Sequence, residues 1–206
     1  MRRFVDVLHI AADAAVLAVD MPIGLLDHAV AGGRDCDRRA RCLLGPRACC
    51  VFTPPVRSAL RAGEYSHALA LNRRSSPAAL GISIECFGLF AKLREVDAAL
   101  RRRPALVRRV REVHPELAFR AMAGAPAGLP PKRSPVGRAK RLALLERKFR
   151  GVRAAAARPP RGAAADDVID AHALCWSAAR IAGRRAVCLP ARPPRDARGL
   201  PMAIWY

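Results

Sequence analysis

Apolar positions divide the chain into segments of helical and extended periodicity. Val5, Leu8 and Ala12 recur at helical spacing, ahead of an uncharged run from Ala14 to Val19 that closes on Asp20-Met21-Pro22-Ile23-Gly24. The run is short and apolar on both alternating sets, which predicts a strand buried on both faces, as in a parallel sheet, with Asp20 at its C-terminal tip. Residues 34 to 44 read as a helix stopped by Gly45-Pro46, and Val51-Phe52-Thr53 as a short extended piece. The most periodic stretch is Leu80 to Leu100, with Leu80, Ile84 and Phe87, then Leu89, Leu93, Val96 and Leu100, and it predicts a helix.

Beyond Pro104, the spacing of Val107, Val110 and Val113 predicts a strand ending near His114. Pro115 disfavours helix at the residue before it and suits a first helical turn, so a helix starts there. Gly124 to Arg133, with its glycines and prolines, reads as a loop. Ser134-Pro135 has the residue types of an N-cap and first helical position, followed by a helix with the stripe Leu142, Leu145, Phe149 and Val152. A further helix over Asp166 to Ala182 carries a stripe of small residues suited to close packing: Ala171, Cys175, Ala178 and Ala182. Short strands at Ala186 to Leu189 and Met202 to Tyr206 finish a single α/β domain spanning residues 1–206, with no internal repeat.

At 52% hydrophobic and 26% charged, the composition excludes a disordered tail or a fibre. No stretch approaches the roughly 20 apolar residues of a membrane span, so no membrane partner is expected. Asp6, His9 and Asp13 interrupt the apolar core that a signal peptide would need. Seven irregularly spaced cysteines point to a reducing, cytoplasmic setting rather than a disulfide framework. Cys36, Cys42, Cys49 and Cys50 lack a Cys-x-x-Cys pair and read as ordinary buried thiols rather than a zinc site. Lys and Arg number 37 against 17 Asp and Glu, a net +20, and only Lys92, Lys132, Lys140 and Lys148 are lysine. A basic surface attracts phosphate polymers, although an arginine and alanine excess is also what GC-rich codons produce.

The few carboxylates are placed informatively. Asp20 lies at the strand edge where open α/β sheets bind ligands. Glu112 and Glu116 flank the His114-Pro115 junction, and Asp167 and Asp170 share one face of a helix. Carboxylates brought together repel and raise one another's pKa, and a hard cation such as Mg²⁺ or Mn²⁺ relieves this while serving phosphoester hydrolysis. Blander roles compete: Asp166 or Asp167 as a helix cap, Glu116 as a first-turn acid, Asp20 as a turn residue and His114 as a structural histidine unless it lies near the acids. Arg101-Arg102-Arg103 ends a helix and reads as a solvated face.

Taken in order, several motifs resemble one family. They are Ala18 to Leu25, Gly33-Arg34 with Cys36-Asp37-Arg38 and Ala40-Arg41, Val51-Phe52 with Pro55 and Arg57, Tyr65, and Asn72-Arg73. Gly81-Ile82-Ser83, Lys92 with Glu95-Val96-Asp97, Glu112 to Phe119, Asp166 to Ala171 with Trp176, and Met202 to Tyr206 continue the match over nearly the whole chain. The chain is similar to domain-of-unknown-function family four-two-nine (DUF429), a group of predicted nucleases. The resemblance implies an RNase H-like mixed sheet flanked by helices, a nucleic-acid partner and a two-metal acidic site. In it Asp20, Asp167 and Asp170 would bind metal, and Glu116 would join them among the catalytic residues. It also implies that the family's first strands, about 30 to 40 residues at ordinary strand lengths, would lie upstream of Met1, so the alternative expectation is a degenerate binding remnant. Glu85 stands where glutamine is expected, and Pro131-Lys132-Arg133-Ser134 where a Ser-Lys-Lys-Thr-like run is expected.

Overall fold

The computed structural model describes residues 3–124 and 129–206. Helix α1 (Phe4–Ile10) leads to strand β1 (Leu17–Val19), and α2 (Asp35–Leu44) follows after a loop containing Gly32 and Gly33. Next come α3 (Tyr65–Arg74), α4 (Ile84–Gly88) and α5 (Phe90–Arg102), then β2 (Val110–Glu112) and α6 (Pro115–Ala123). Helices α7 (Pro135–Glu146), α8 (Val152–Ala157) and α9 (Ala165–Ala182) precede strands β3 (Cys188–Leu189) and β4 (Ile204–Trp205).

Strand β1 pairs with β2 in parallel, Val19 opposite Glu112, and β3 pairs with β4 antiparallel. A parallel bridge from Val113 to Trp205 joins the two ladders, so the strands lie in the order β1, β2, β4, β3. The architecture is therefore mixed α/β. The expected parallel strand is present and Asp20 follows its last residue, but Leu17, Ala18 and Val19 are half-buried rather than buried on both faces. The strand has one paired edge among the described residues, which leaves part of its surface accessible.

Four apolar clusters hold the helices to these strands. On the α9 side, Ala118 and Phe119 of α6, Leu142 and Leu145 of α7, Val152 of α8 and Ile169 and Ala173 of α9 pack together. On the other side, Leu25 and Leu60 pack with Cys86, Phe90 and Leu93.

The start of α6 at Pro115 and the Ser134 cap of α7 match the sequence reading, with Ser134 Oγ accepting the Gly137 amide at 3.0 Å. Three expectations are corrected. The periodic stretch 80–100 is two helices, because Ser83 caps α4 and the chain breaks at Gly88-Leu89. The helix after Ser134 ends at Glu146, and Val152 belongs to α8. On α9 the buried stripe is Ile169, Ala173 and Ser177, whereas Ala171, Cys175 and Ala182 are exposed, since the helix turns a polar flank toward a cavity. Val51 is extended as expected, though Val51 to Thr53 join no sheet. Within the loop expected over 124–133, residues 125–128 lie outside the described residues. All seven cysteines are free, and among the described residues no helix is long and apolar enough to cross a membrane.

Candidate active site

Parallel strands end on the same side of a sheet, so the pairing of β1 with β2 delivers Asp20 and His114 to one edge. Helix α6 starts immediately after His114 and places Glu116 in its first turn, and the first turns of α9 bring Asp167 and Asp170 to the same place. Asp20, His114, Glu116, Lys132, Asp167 and Asp170 together line a cavity of about 540 Å³. All four candidate carboxylates therefore line one cavity, although they come from three distant parts of the chain.

Their surroundings differ. Asp20 is reached by water from the cavity but is ringed by protein, and burial pushes its pKa up. His114 and Lys132 pull it back, while Asp170 pushes in the same direction as burial. Asp170 is likewise raised by burial, against the pull of Lys132, whose Nζ donates to Asp170 Oδ2 at 2.6 Å. Two carboxylates with raised pKa values thus line one cavity, Asp170 with Lys132 as its counter-charge.

Glu116 is 7% exposed and held differently. Arg141 Nη2 donates to both of its oxygens, at 2.9 and 2.7 Å, and Arg47 lies 3.4 Å from Oε1. Arg141 is itself 1% exposed and covers the ring of Phe119 at 5.3 Å. Glu116 thus forms a wall of the cavity with its charge already compensated. Asp167 is exposed and accepts the Ala164 amide at 2.8 Å, which is the cap role weighed for it, and Asp166 pairs with Arg138 at 3.2 Å.

Glu112 lies away from the cavity. Its oxygens accept two bonds from Arg34, at 2.6 and 2.8 Å, and the Ile23 amide at 2.7 Å. Arg34 also grips Asp37 and the Ile23 carbonyl, so the knot fixes the turn that follows Asp20. Burial pushes Glu112 up to about 7 against the attraction of Arg34. Arg57, Asp97 and Asp196 form a second buried knot.

Two cavity residues escaped the acid-based reading. His114 lies beside Asp20, which removes the reason to treat it as merely structural. Its Nε2 donates to the Cys50 carbonyl at 3.1 Å, and Nδ1 is buried without a partner among the described residues. Lys132 pairs with Asp170, and its signal was rarity, being one of four lysines in an arginine-rich chain. The approach of its segment depends on Gly137, where a Cβ would meet the Pro131 carbonyl oxygen at 2.0 Å and that of Pro130 at 2.8 Å. Gly137→Ala is expected to force the segment off α7, costing about 1–3 kcal/mol as overpacking does and freeing Lys132. Denaturant titration checks the first effect. Faster modification of Lys132 by an amine reagent, followed by mass spectrometry, checks the second.

The donor chemistry of Asp20 and Asp170 suits a hard divalent cation, since Mg²⁺ is commonly held by one or two carboxylates and completed by water and substrate phosphate. Among the described residues no group of three His, Cys, Asp or Glu forms a ready-made metal site; of the four cysteines expected as buried thiols, Cys36 is buried, Cys50 half-buried, and Cys42 and Cys49 are exposed.

The described residues define a mixed α/β protein with a carboxylate-lined cavity at the C-terminal edge of its parallel strands. Residues 1–195 match the family described as "Protein of unknown function (DUF429)", and the chain belongs to that family. No curated protein and no solved structure gives a significant match.

Proposed function

We propose that the chain is a metal-dependent nuclease of RNase H-like type, hydrolysing phosphodiester bonds in the cavity beside Asp20. The observation that carries this reading is the meeting of Asp20 and Asp170 in one cavity, each with its pKa raised and with Lys132 supplying the nearest compensating charge. Asp20 and Asp170 would hold Mg²⁺ or Mn²⁺, with Asp167 adding negative charge at the rim. A bound cation of this kind activates water and stabilises the leaving oxygen. Lys132 offers N–H donors to a phosphate oxygen. His114, anchored through Nε2 on the Cys50 carbonyl, lines the cavity beside Asp20. Arg141 and Arg47 hold Glu116 as a fixed wall. The seven free cysteines suit a reducing compartment, which on this reading is the cytoplasm.

One observation favours a second reading. Lys132 sits on Asp170 where a cation would compensate it, the arrangement of a binding remnant that holds nucleic acid without turnover. Single-stranded, duplex, hybrid and branched nucleic acids, each incubated with and without Mg²⁺ or Mn²⁺, separate the two. Metal-dependent cleavage lost in Asp20→Asn and Asp170→Asn supports the nuclease; cleavage that survives both overturns it. Salt-sensitive binding without turnover supports the remnant.

A further inference from the structure

Helix α5 starts at the cavity and leads away from it. Leu89, its N-cap, and Lys92 line the acidic cavity. From Arg94 onward the same helix borders two further hollows, one of about 510 Å³ against α1 and one of about 190 Å³ beside Leu60 and Arg198. Both are lined by Arg94 and Ala98, so the hollows flank one exposed ridge, and the small Ala98 makes a saddle between them.

Cations dominate the walls. Arg3, Arg94, Arg102 and Arg103 line the larger hollow, and Arg61, Arg94, Arg101 and Arg198 the smaller. Each hollow has one carboxylate, and each is occupied: Glu95 accepts the Phe4 amide at 2.7 Å, and Asp97 accepts from Arg57 and Arg101. Phe4, Val5 and Leu8 supply an apolar wall on which a base can rest. Arg101 shares Asp97 with Arg57, whereas Arg34, Arg57 and Arg141 are held by buried carboxylates and carbonyls.

We propose that the α5 saddle is a binding track for a nucleic-acid strand, carrying its phosphodiester backbone from Arg101 and Arg102 past Ala98 to Arg94. At 1.5 Å per residue, Arg94 to Arg103 spans roughly 14 Å. The track deepens the nuclease reading by adding a surface that holds substrate outside the reacting centre.

The test is fluorescence anisotropy of a labelled 20-nucleotide single strand with the full chain in EDTA, where no cleavage occurs. Arg61→Ala/Arg94→Ala/Arg102→Ala is compared with Arg147→Ala/Arg150→Ala/Arg158→Ala, which removes the same charge from exposed positions outside the saddle. The track variant is expected to bind at least tenfold more weakly, with its log–log salt slope shallower by about 2 units, while the control triple stays within twofold of the parent. Equal losses in the two triples overturn the track, as does parent binding too weak to detect. Thermal melts matching the parent exclude misfolding, and Ala98→Glu, which places an anion on the saddle without deleting an arginine, must weaken binding as well. Vesicles of phosphatidylserine and phosphatidylcholine form the other arm; track-dependent adsorption to them, with no track-dependent nucleic-acid binding, also overturns the assignment. Failure of the track is distinguishable from failure of the nuclease reading. The anisotropy comparison in EDTA reads the track whether or not the parent cleaves when Mg²⁺ or Mn²⁺ is added.

Discussion

Arg34→Met is expected to lower folding stability by roughly 3–5 kcal/mol, the cost of removing one partner from a buried ionic group. The guanidinium is 2% exposed and is the shared counter-charge of Asp37 and Glu112, so its loss leaves two carboxylates inside the protein facing one another. The pH dependence follows from Glu112, whose pKa is already raised by burial to about 7. A carboxyl raised on folding contributes stability that is fully present below its unfolded value of about 4.5 and is lost as pH rises through the folded value. Without Arg34 the folded value rises further, so the variant's deficit widens from pH 5 to pH 8 and narrows on acidification. Urea titrations of both proteins across that range check the size and the sign. A deficit independent of pH would mean that lost packing, rather than charge, carries the effect.

Asp20→Asn is expected to abolish metal-dependent cleavage, by at least about 100-fold, as removal of a group that holds or orients a catalytic metal does. It should leave the thermal midpoint in EDTA close to the parent's, because the Asp20 side chain is exposed to the cavity. Mg²⁺ or Mn²⁺ should stabilise the parent by about 2.7 kcal/mol at 100 times its dissociation constant and leave Asp20→Asn unmoved. Scanning calorimetry with and without the ion reads this independently of turnover. A parent midpoint indifferent to both ions, alongside intact nucleic-acid binding, would favour the remnant.

How much of this was legible in the chain depended on the range of the interactions involved. Local chemistry was readable: Asp20 after an apolar run, the helix start at Pro115 and the Ser134 cap depend on neighbours within a few residues. Helix breaks were not, because apolar spacing continues through Gly88-Leu89 and through Arg147 to Gly151 while the backbone does not. The face of α9 was misjudged for a related reason. Small residues occupy two stripes, and only contact with α6 and α8 selects the one carrying Ile169 and Ala173. Partnership across the sequence was the least legible. Nothing near Glu116 announces Arg141, and nothing near Asp170 announces Lys132. The family motifs also divide in a way that their order conceals. Tyr65 donates to the Ile82 carbonyl and Asn72 bridges Val56 and Leu80, so these hold loops, while Asp20, His114 and Asp170 face the cavity.

The buried arginine knots also change how the molecule meets other solutes. Asp37, Asp97, Glu112, Glu116 and Asp196 are sequestered with their counter-ions, so the outer shell has few anions left to mask its guanidinium groups. Such a particle is a polycation in colloidal terms: its copies repel one another in dilute buffer, and polyanions in a cell extract adhere to it until salt displaces them. Purification at low ionic strength should therefore yield a preparation with an elevated 260-to-280 nm absorbance ratio, and a high-salt wash should restore the ratio of bare protein.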